Sequence, residues 1–473
     1  MKRDALPVDA FIAPDGQNAD AVRKTLHRLL DVVIDHMTTA TDRPPMPDQA
    51  ALPELSIADT GTDGDGLGAL VDQLFAGAMN PLHPGYIGHM DSMPTTASIV
   101  GDLVAAAMNN NMLSIEMSPG LSELETAITA QFAQLFGLPE ATSGGVMTGG
   151  GTLANLLALT AARNHHLGSF ANGLSQRTRQ PVILASEVAH TSIRKAAMIL
   201  GLGTNAVIPV EATPQSRMDP DALRSALHQA RINDREPFCV VATAGTTTTG
   251  SIDPLPEIAA ICAERGLWFH VDAAYGGAAI FSERHAHRLT GIEQADSITF
   301  NPQKWLYIAK TCAMTLFRDW PTTRKYVRVD APYMAAADHV NLGEVSIQGT
   351  RRADIIKLWL SLRHIGRSGY AALIDESYRL TTYFNAQADS RPMLRRISPG
   401  DTNLVCFRAE PDGMAADALD QHNTGLGDRL LQRQRIFLSL PLYRGNRWLR
   451  AVLLNPFTEE DLIDALFYNL DRY

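Results

Sequence analysis

Two neighbouring stretches decide how this chain folds: LWFHVDAAYGG at residues 267–277 and SITFNPQKWL at residues 297–306. Each opens as a short run of apolar, β-branched and aromatic residues, then turns polar or glycine-rich. Short continuous apolar runs of this kind are strands of a parallel sheet covered on both faces. Asp272 falls at the end of the first run, where a carboxylate is costly unless it meets a positive or hydrogen-bonding partner. It either faces a protonated heterocycle nitrogen or caps the next turn, and the motif alone leaves both open. Lys304 follows the second run, between Pro302 and Trp305. Surroundings that disfavour an ammonium leave a lysine neutral and nucleophilic, as Schiff-base chemistry requires. Most lysines are simply solvated charges, so Lys304 gains meaning only from its company.

That company lies upstream. VILAS (182–186), AVIPV (206–210) and FCVVAT (238–243) are further strands, with helical patterns from Asp219 and over 256–265. Strands alternating with helices predict an α/β fold with a mostly parallel sheet, whose carboxyl edge is the place for a ligand. TGGGTLANLLAL (148–159) puts three glycines and Thr152 before a helix. This is either a tight turn or a cradle in which helix N–H groups meet an anion. It is neither a Walker loop nor a dinucleotide fingerprint, because the spacing and the lysine those need are missing. SEVAHTS (186–192) and ATAGTTTTG (242–250) also follow strands. His190 can lie flat against a planar ring, and Thr246 can hydrogen-bond a ring substituent. An anion cradle, a strand-end aspartate, a strand-end lysine and a histidine are together the parts that hold pyridoxal 5'-phosphate.

The rest of the chain is consistent with a globular enzyme body. Its 473 residues are 45% hydrophobic and 19% charged, with a formal charge of −10 and no run of Lys or Arg. That balance excludes a disordered chain and argues against nucleic acid or an anionic membrane as the main partner. No window approaches the roughly 18 apolar residues of a membrane span. Pro7 and Asp9 interrupt the only apolar stretch at the amino end, so a cytoplasmic protein is expected. Cys239, Cys262, Cys312 and Cys406 show no disulfide-framework spacing. Three parts are expected. Residues 1–80 are a helical segment whose stripe of Val22, Leu26, Leu29, Val33 and Met37 docks on another body. Residues 81–345 are the large cofactor domain, with a helix from Pro119 after a Ser118 cap. Residues 346–473 are a small α+β domain. It opens with a helix that Gly366 stops, whose stripe of Ile355, Ile356, Trp359 and Leu362 is core. It continues through strands at 402–407, 436–440 and 448–454, and closes with a helix whose Thr458 and Asp461 approximate a capping box.

The sequence resembles the group II pyridoxal-phosphate-dependent amino acid decarboxylases, the family of aromatic amino acid, glutamate and 2,4-diaminobutyrate decarboxylases. The resemblance runs from HPGYIGHM (83–90) through NNNMLSIEMSPGLSELE (109–125) and the motifs above to RRADIIKLWLSLRHIG (351–366). It implies the aspartate-aminotransferase-like fold (fold type I) and a homodimer with active sites at the interface. It makes Lys304 the residue that binds the cofactor aldehyde, Asp272 the partner of the pyridine nitrogen and His190 the stacking histidine. Gly151 and Thr152 match phosphate-binding positions, and Ala274, Asn301 and Gln303 also fall in the cofactor-binding motifs. Gly349 and Thr350 lie in the segment that reaches the neighbouring subunit's cofactor. Tyr86 and His89 fall where the substrate side chain is lined, and Arg450 where glutamate-type members contact a substrate carboxylate. The implied reaction turns a small L-amino acid into its amine and carbon dioxide.

Two positions depart from the family pattern. Gln303 replaces the usual histidine before the lysine, and its amide can still donate to phosphate. The loop after the lysine usually carries a tyrosine that protonates the carbanion, but none occurs between Met334 and Gly349. Tyr333 just before that loop and His339 within it are the candidate substitutes. Relatives lacking the tyrosine can divert to oxidative deamination, which gives an aldehyde. No metal is expected. His83 and His89 lack a ligand spacing, and His285 and His287 read as a solvated loop pair.

Overall fold

The computed structural model describes residues 7–47, 53, 55–331 and 340–472. Strands β1 (Gly144–Thr148), β2 (Gln180–Ser186), β3 (Val207–Val210), β4 (Arg235–Thr243), β5 (Trp268–Asp272), β6 (Ser297–Phe300) and β7 (Ala313–Phe317) form one sheet in the order β1-β7-β6-β5-β4-β2-β3. Only β7 runs against its neighbours. The carboxyl ends of β1, β2, β4, β5 and β6 therefore open on one edge. The strands are apolar and almost wholly buried, as a sheet covered on both faces requires.

Two of these strands were not expected. GGVMT of β1 opens with two glycines, which are poor strand formers. The pairing with β7 explains them, because a Cβ on Gly145 would stand 2.2 Å from the Thr315 carbonyl oxygen. Helices α1 (Ala19–Thr38), α2 (Gly64–Ala76), α3 (Thr96–Met108), α4 (Pro119–Leu135), α5 (Gly151–Leu167), α6 (Ser192–Ile199), α7 (Pro220–Ile232), α8 (Leu255–Arg265) and α9 (Trp320–Thr323) complete the first two parts. Asp219 caps α7 by accepting from Asp221 N and Ala222 N. Ser118 precedes Pro119 as expected, but its hydroxyl faces Met112 Sδ (3.1 Å) and caps nothing.

Gly366 ends the first segment of the long helix α10 (Ile355–Asp389), where the sequence predicts a stop. That glycine takes φ +71° and breaks the helical geometry, and the chain resumes as helix as far as Asp389. Ile355 and Ile356 are buried as expected, but Trp359 is exposed. The first turn is enclosed on several sides, Lys357 included, so a single stripe does not describe it. The distal half of α10 joins α11 (Ala416–Gln434), α12 (Glu460–Leu470) and an antiparallel sheet of β8 (Leu394–Arg396), β9 (Leu404–Ala409) and β12 (Leu449–Val452). A two-stranded hairpin, β10 (Leu442–Tyr443) with β11 (Asn446–Arg447), precedes β12.

Residues 436–440 form isolated bridges instead of a full strand, Phe437 with Tyr86 and Ser439 with Arg450. Ile87 is thereby drawn into the core of the small domain, among Leu438, Leu449 and Phe407. The capping box expected at α12 does not form, because Thr458 Oγ1 donates to the Pro84 carbonyl (2.7 Å) and anchors the same segment. No helix among the described residues is long and apolar enough to cross a membrane.

A buried ion pair locks α4 to β1 and to the segment before α10. Arg351 Nη2 donates to Glu125 Oε1 (2.6 Å) and to the Met147 carbonyl (2.8 Å), and Glu125 Oε1 also accepts from Met147 N (2.9 Å). Both side chains are almost fully buried. Removing one partner of such a pair leaves an uncompensated charge and costs about 3–5 kcal/mol. Glu125→Gln is therefore expected to lower the thermal midpoint of the holoenzyme by several degrees, as calorimetry would read. An unchanged midpoint would contradict the role given to this pair.

Candidate active site

The strands β1, β2, β4, β5 and β6 each deliver, at or just beyond their carboxyl ends, one part of a single cavity of about 200 Å³. After β1 comes the glycine turn, with Gly150 at φ +137°. A Cβ on Gly151 would lie 2.7 Å from Asn301 Nδ2, so only glycine lets the start of α5 approach the loop after β6. The first N–H groups of α5 have no acceptor within the helix and offer an anion site, with the Thr152 hydroxyl on the cavity wall.

After β2 comes His190, whose Nδ1 lies 2.8 Å from Ser192 Oγ. After β4 come Thr243, Gly245 and Thr247 on the cavity wall. Thr246 is turned away: its hydroxyl sits 2.8 Å from both Thr249 Oγ1 and Ser251 Oγ inside the turn. After β5 come Asp272, Ala274 and Tyr275. Asp272 Oδ1 accepts from Ala274 N (3.1 Å) and its Oδ2 from Asn155 Nδ2 (2.8 Å). The aspartate thus caps its turn and also lines the cavity, so the two readings of the motif are compatible. After β6 come Asn301 and Lys304.

The electrostatics suit a covalent anchor. Burial lowers the Lys304 amine below its ordinary range, Arg450 and Lys310 add to the effect, and Asp272 and Asp91 oppose it. Burial likewise lowers His190, against the pull of Asp272.

The remaining expected residues stand outside the cavity wall. Gln303 Oε1 accepts from Cys312 N (2.6 Å), which leaves its amide N–H₂ as the donor. Gly349 and Thr350 are exposed on the surface, while their neighbour Gln348 accepts from Gly149 N through Oε1 (3.2 Å). Tyr86 is buried with its hydroxyl on Met79 Sδ (3.1 Å). Arg450 Nη1 donates to the Thr247 carbonyl (2.6 Å), its Nε and Nη2 face the Gly88 carbonyl, and Nη2 lies 3.0 Å from His89 Nδ1. Its hydrogen bond to Thr247 links Arg450 to the cavity wall. Tyr333 and His339 lie outside the described residues.

His83 Nδ1 accepts from Gly85 N (2.9 Å). His285 is not a solvated loop residue: its ring stacks on Tyr378 with centroids 3.7 Å apart, because the loop folds back on α10. Among the described residues no group of three or more His, Cys, Asp or Glu is placed to hold a metal. The four cysteines are buried thiols.

The residues present fit pyridoxal phosphate. The glycine cradle takes an anion, Asp272 suits a protonated ring nitrogen, and Lys304 suits an aldehyde. Asn301 Oδ1 is buried with no hydrogen-bond partner, as expected of a wall that a polar ligand completes. Sequence reasoning passed over Asn155, Thr243, Gly245, Thr247 and Tyr275. Asn155 left one legible signal, as the polar residue in the otherwise apolar run LANLLAL.

Comparison with known proteins gives the family. A family model described as the pyridoxal-dependent decarboxylase conserved domain matches residues 71–410. The chain is 34% identical over 478 residues to an L-2,4-diaminobutyrate decarboxylase of Rhizobium meliloti, covering 97% of this chain and 92% of that one. It is 31% identical over 421 residues to an L-aspartate decarboxylase of Metarhizium robertsii, covering 87% and 83%. The crystal structure of Oryza sativa TDC with PLP and tryptamine superposes with a TM-score of 0.89 at 25% identity, over 98% of this chain and 99% of that one. The fold, the cavity and the family match together place this chain in the pyridoxal-dependent decarboxylase family, as a PLP-dependent amino acid decarboxylase.

Proposed function

We propose that this enzyme, as a homodimer, converts a small L-amino acid to the corresponding amine and carbon dioxide. The observation that carries the reading is the convergence of Lys304, Asp272 and the glycine cradle on one cavity. Pyridoxal phosphate, when bound, supplies the electron sink for the pair left by the departing carboxylate. The first turn of α5 and Thr152 bind its phosphate. Asp272 holds a proton at the ring nitrogen. His190 covers one face of the ring and excludes water. Lys304, its amine made more nucleophilic by burial, would hold the cofactor aldehyde.

Arg450 is a buried cation held by carbonyl oxygens and His89. All three of its nitrogens are engaged by protein atoms and it stands outside the cavity wall, so it carries no argument for the substrate's side chain. The dimer reading is supported by apolar side chains left in solvent, Leu26, Leu30 and Ile34 on α1 and Leu67, Leu70 and Leu74 on α2. The exposed Gly349 and Thr350 point the same way, since they do not line their own cavity.

The tyrosine-free stretch 334–349 favours a second reading. In it the amino acid, dioxygen and water give aldehyde, carbon dioxide, ammonia and hydrogen peroxide. Purified holoenzyme assayed in air against the common amino acids, ornithine, 2,4-diaminobutyrate and cysteine sulfinate separates the two. Amine and carbon dioxide in equal amounts, with no oxygen uptake, are expected. Peroxide and ammonia matching the carbon dioxide would establish the second reading instead.

A further inference from the structure

Behind the cavity wall lies a continuous line of buried hydrogen bonds, and the donor of each one can be derived. Trp268 Nε1 donates to Ser297 Oγ (2.8 Å), which lies 2.8 Å from His270 Nδ1. His270 Nε2 lies 3.0 Å from Asn155 Oδ1. Asn155 Nδ2 lies 2.8 Å from Asp272 Oδ2 and 2.9 Å from Ser192 Oγ, and Ser192 Oγ lies 2.8 Å from His190 Nδ1. Asn155, Ser192, His270 and Ser297 are each at most 1% exposed.

A carboxylate only accepts, so the Asn155 group facing Asp272 must be its N–H₂. Its two protons go to Asp272 and Ser192. Asn155 Oδ1 then accepts from His270, whose proton sits on Nε2, and His270 Nδ1 accepts from Ser297. Nδ1 is also 3.1 Å from the Ser297 carbonyl, which would bond only an imidazolium. Burial pushes His270 down to about 4 and disfavours that form. At the other end Ser192 Oγ already accepts from Asn155, so its own proton points to His190 Nδ1. The backbone N–H of Ser192 points at the same atom (3.2 Å). His190 is therefore held neutral with its proton on Nε2. The charged groups acting on its ring are Asp272, Lys304 and Lys195.

We propose that Asn155 is a positioning residue for both His190 and Asp272: one amide aims the carboxylate and, through Ser192, fixes the tautomer of the histidine that covers the cofactor. This rests on the cofactor assignment and not on the product. Its readouts are ring protonation and cofactor affinity, so its failure leaves the proposed reaction untouched.

The test compares wild-type, Ser192→Ala and Asn155→Leu holoenzymes labelled with 15N-histidine, the His190 signals being assigned by their loss in His190→Gln. Wild type is expected to show a single His190 tautomer, protonated at Nε2. Ser192→Ala removes the shorter donor (2.8 Å) and leaves only the longer backbone N–H (3.2 Å) on Nδ1, so an Nδ1–H population should become measurable beside the Nε2–H form, with pyridoxal phosphate affinity changed less than about threefold because the Asp272 arm is intact. Asn155→Leu should give the mixture and weaken the cofactor about tenfold or more, since it also leaves Asp272 without its donor. If Asn155→Leu does not fold, Asn155→Asp reads the same arm with the same shape and should weaken the cofactor likewise. A single Nε2–H tautomer in Ser192→Ala overturns the histidine half. Wild-type cofactor affinity in the Asn155 variant overturns the aspartate half.

Discussion

Lys304→Ala is expected to abolish turnover, by on the order of 10⁴-fold or more, while leaving the fold in place. The loss should be that large because, among the described residues that line the cavity, the Lys304 amine is the one able to hold the cofactor aldehyde. The fold should survive because the lysine's backbone, not its side chain, is woven into the turn, where Lys304 N donates to the Asn301 carbonyl (3.1 Å). Among the described residues no carboxylate lies within ion-pair distance of the amine. Truncation therefore removes an amine without stranding an anion. Borohydride treatment of wild-type holoenzyme followed by peptide mass spectrometry should place a pyridoxyl group on Lys304, and the alanine variant should carry none. A variant retaining more than about one per cent of wild-type turnover would remove Lys304 from the mechanism.

The prominence of Lys304 and Asp272 in the sequence has a physical cause. Both end apolar runs that can only be buried strands, so their charge breaks a pattern that local reading detects. The same reasoning found β2 to β6 and missed β1, whose glycines signal close packing against β7 that no local pattern records. Four consecutive threonines, 246–249, look equivalent in sequence. The turn engages the Thr246 hydroxyl and presents Thr247 to the cavity, a distinction only backbone geometry makes.

Asn155 was hidden for another reason. It belongs to an apolar helix run, and its partners His270 and Asp272 are 115 and 117 residues away in the chain. Long-range polar pairing of this kind is set by the sheet order, which puts β5 beside β4 and α5 across them. The sequence assigns the segment around Ile87 to the large domain for a similar reason, whereas the Tyr86–Phe437 bridge brings Ile87 into the small domain's core.

Asp272→Asn should be the most damaging change that leaves Lys304 untouched. The two side chains have the same shape, so cavity volume and packing stay constant and the effect isolates charge and hydrogen-bond direction. The carboxylate now accepts on both sides, from Ala274 N at Oδ1 and from Asn155 Nδ2 at Oδ2. An amide has one oxygen and one N–H₂, so in either orientation a donor would face a donor across a buried contact. In the proposed role the negative charge that would hold a proton at the pyridine nitrogen is lost as well, and with it the ring's capacity to accept the electron pair. Breaking a buried charge pair by removing one partner costs about 3–5 kcal/mol, which in a rate is roughly 10²–10⁴-fold. Turnover should fall by that factor, and pyridoxal phosphate affinity should weaken with it. Asp272→Glu keeps the charge but lengthens the arm against Asn155, so it should recover more turnover than the asparagine variant while remaining below wild type. If asparagine and glutamate variants were equally active, charge at this position would not matter, and Asp272 would be no more than the cap of its turn.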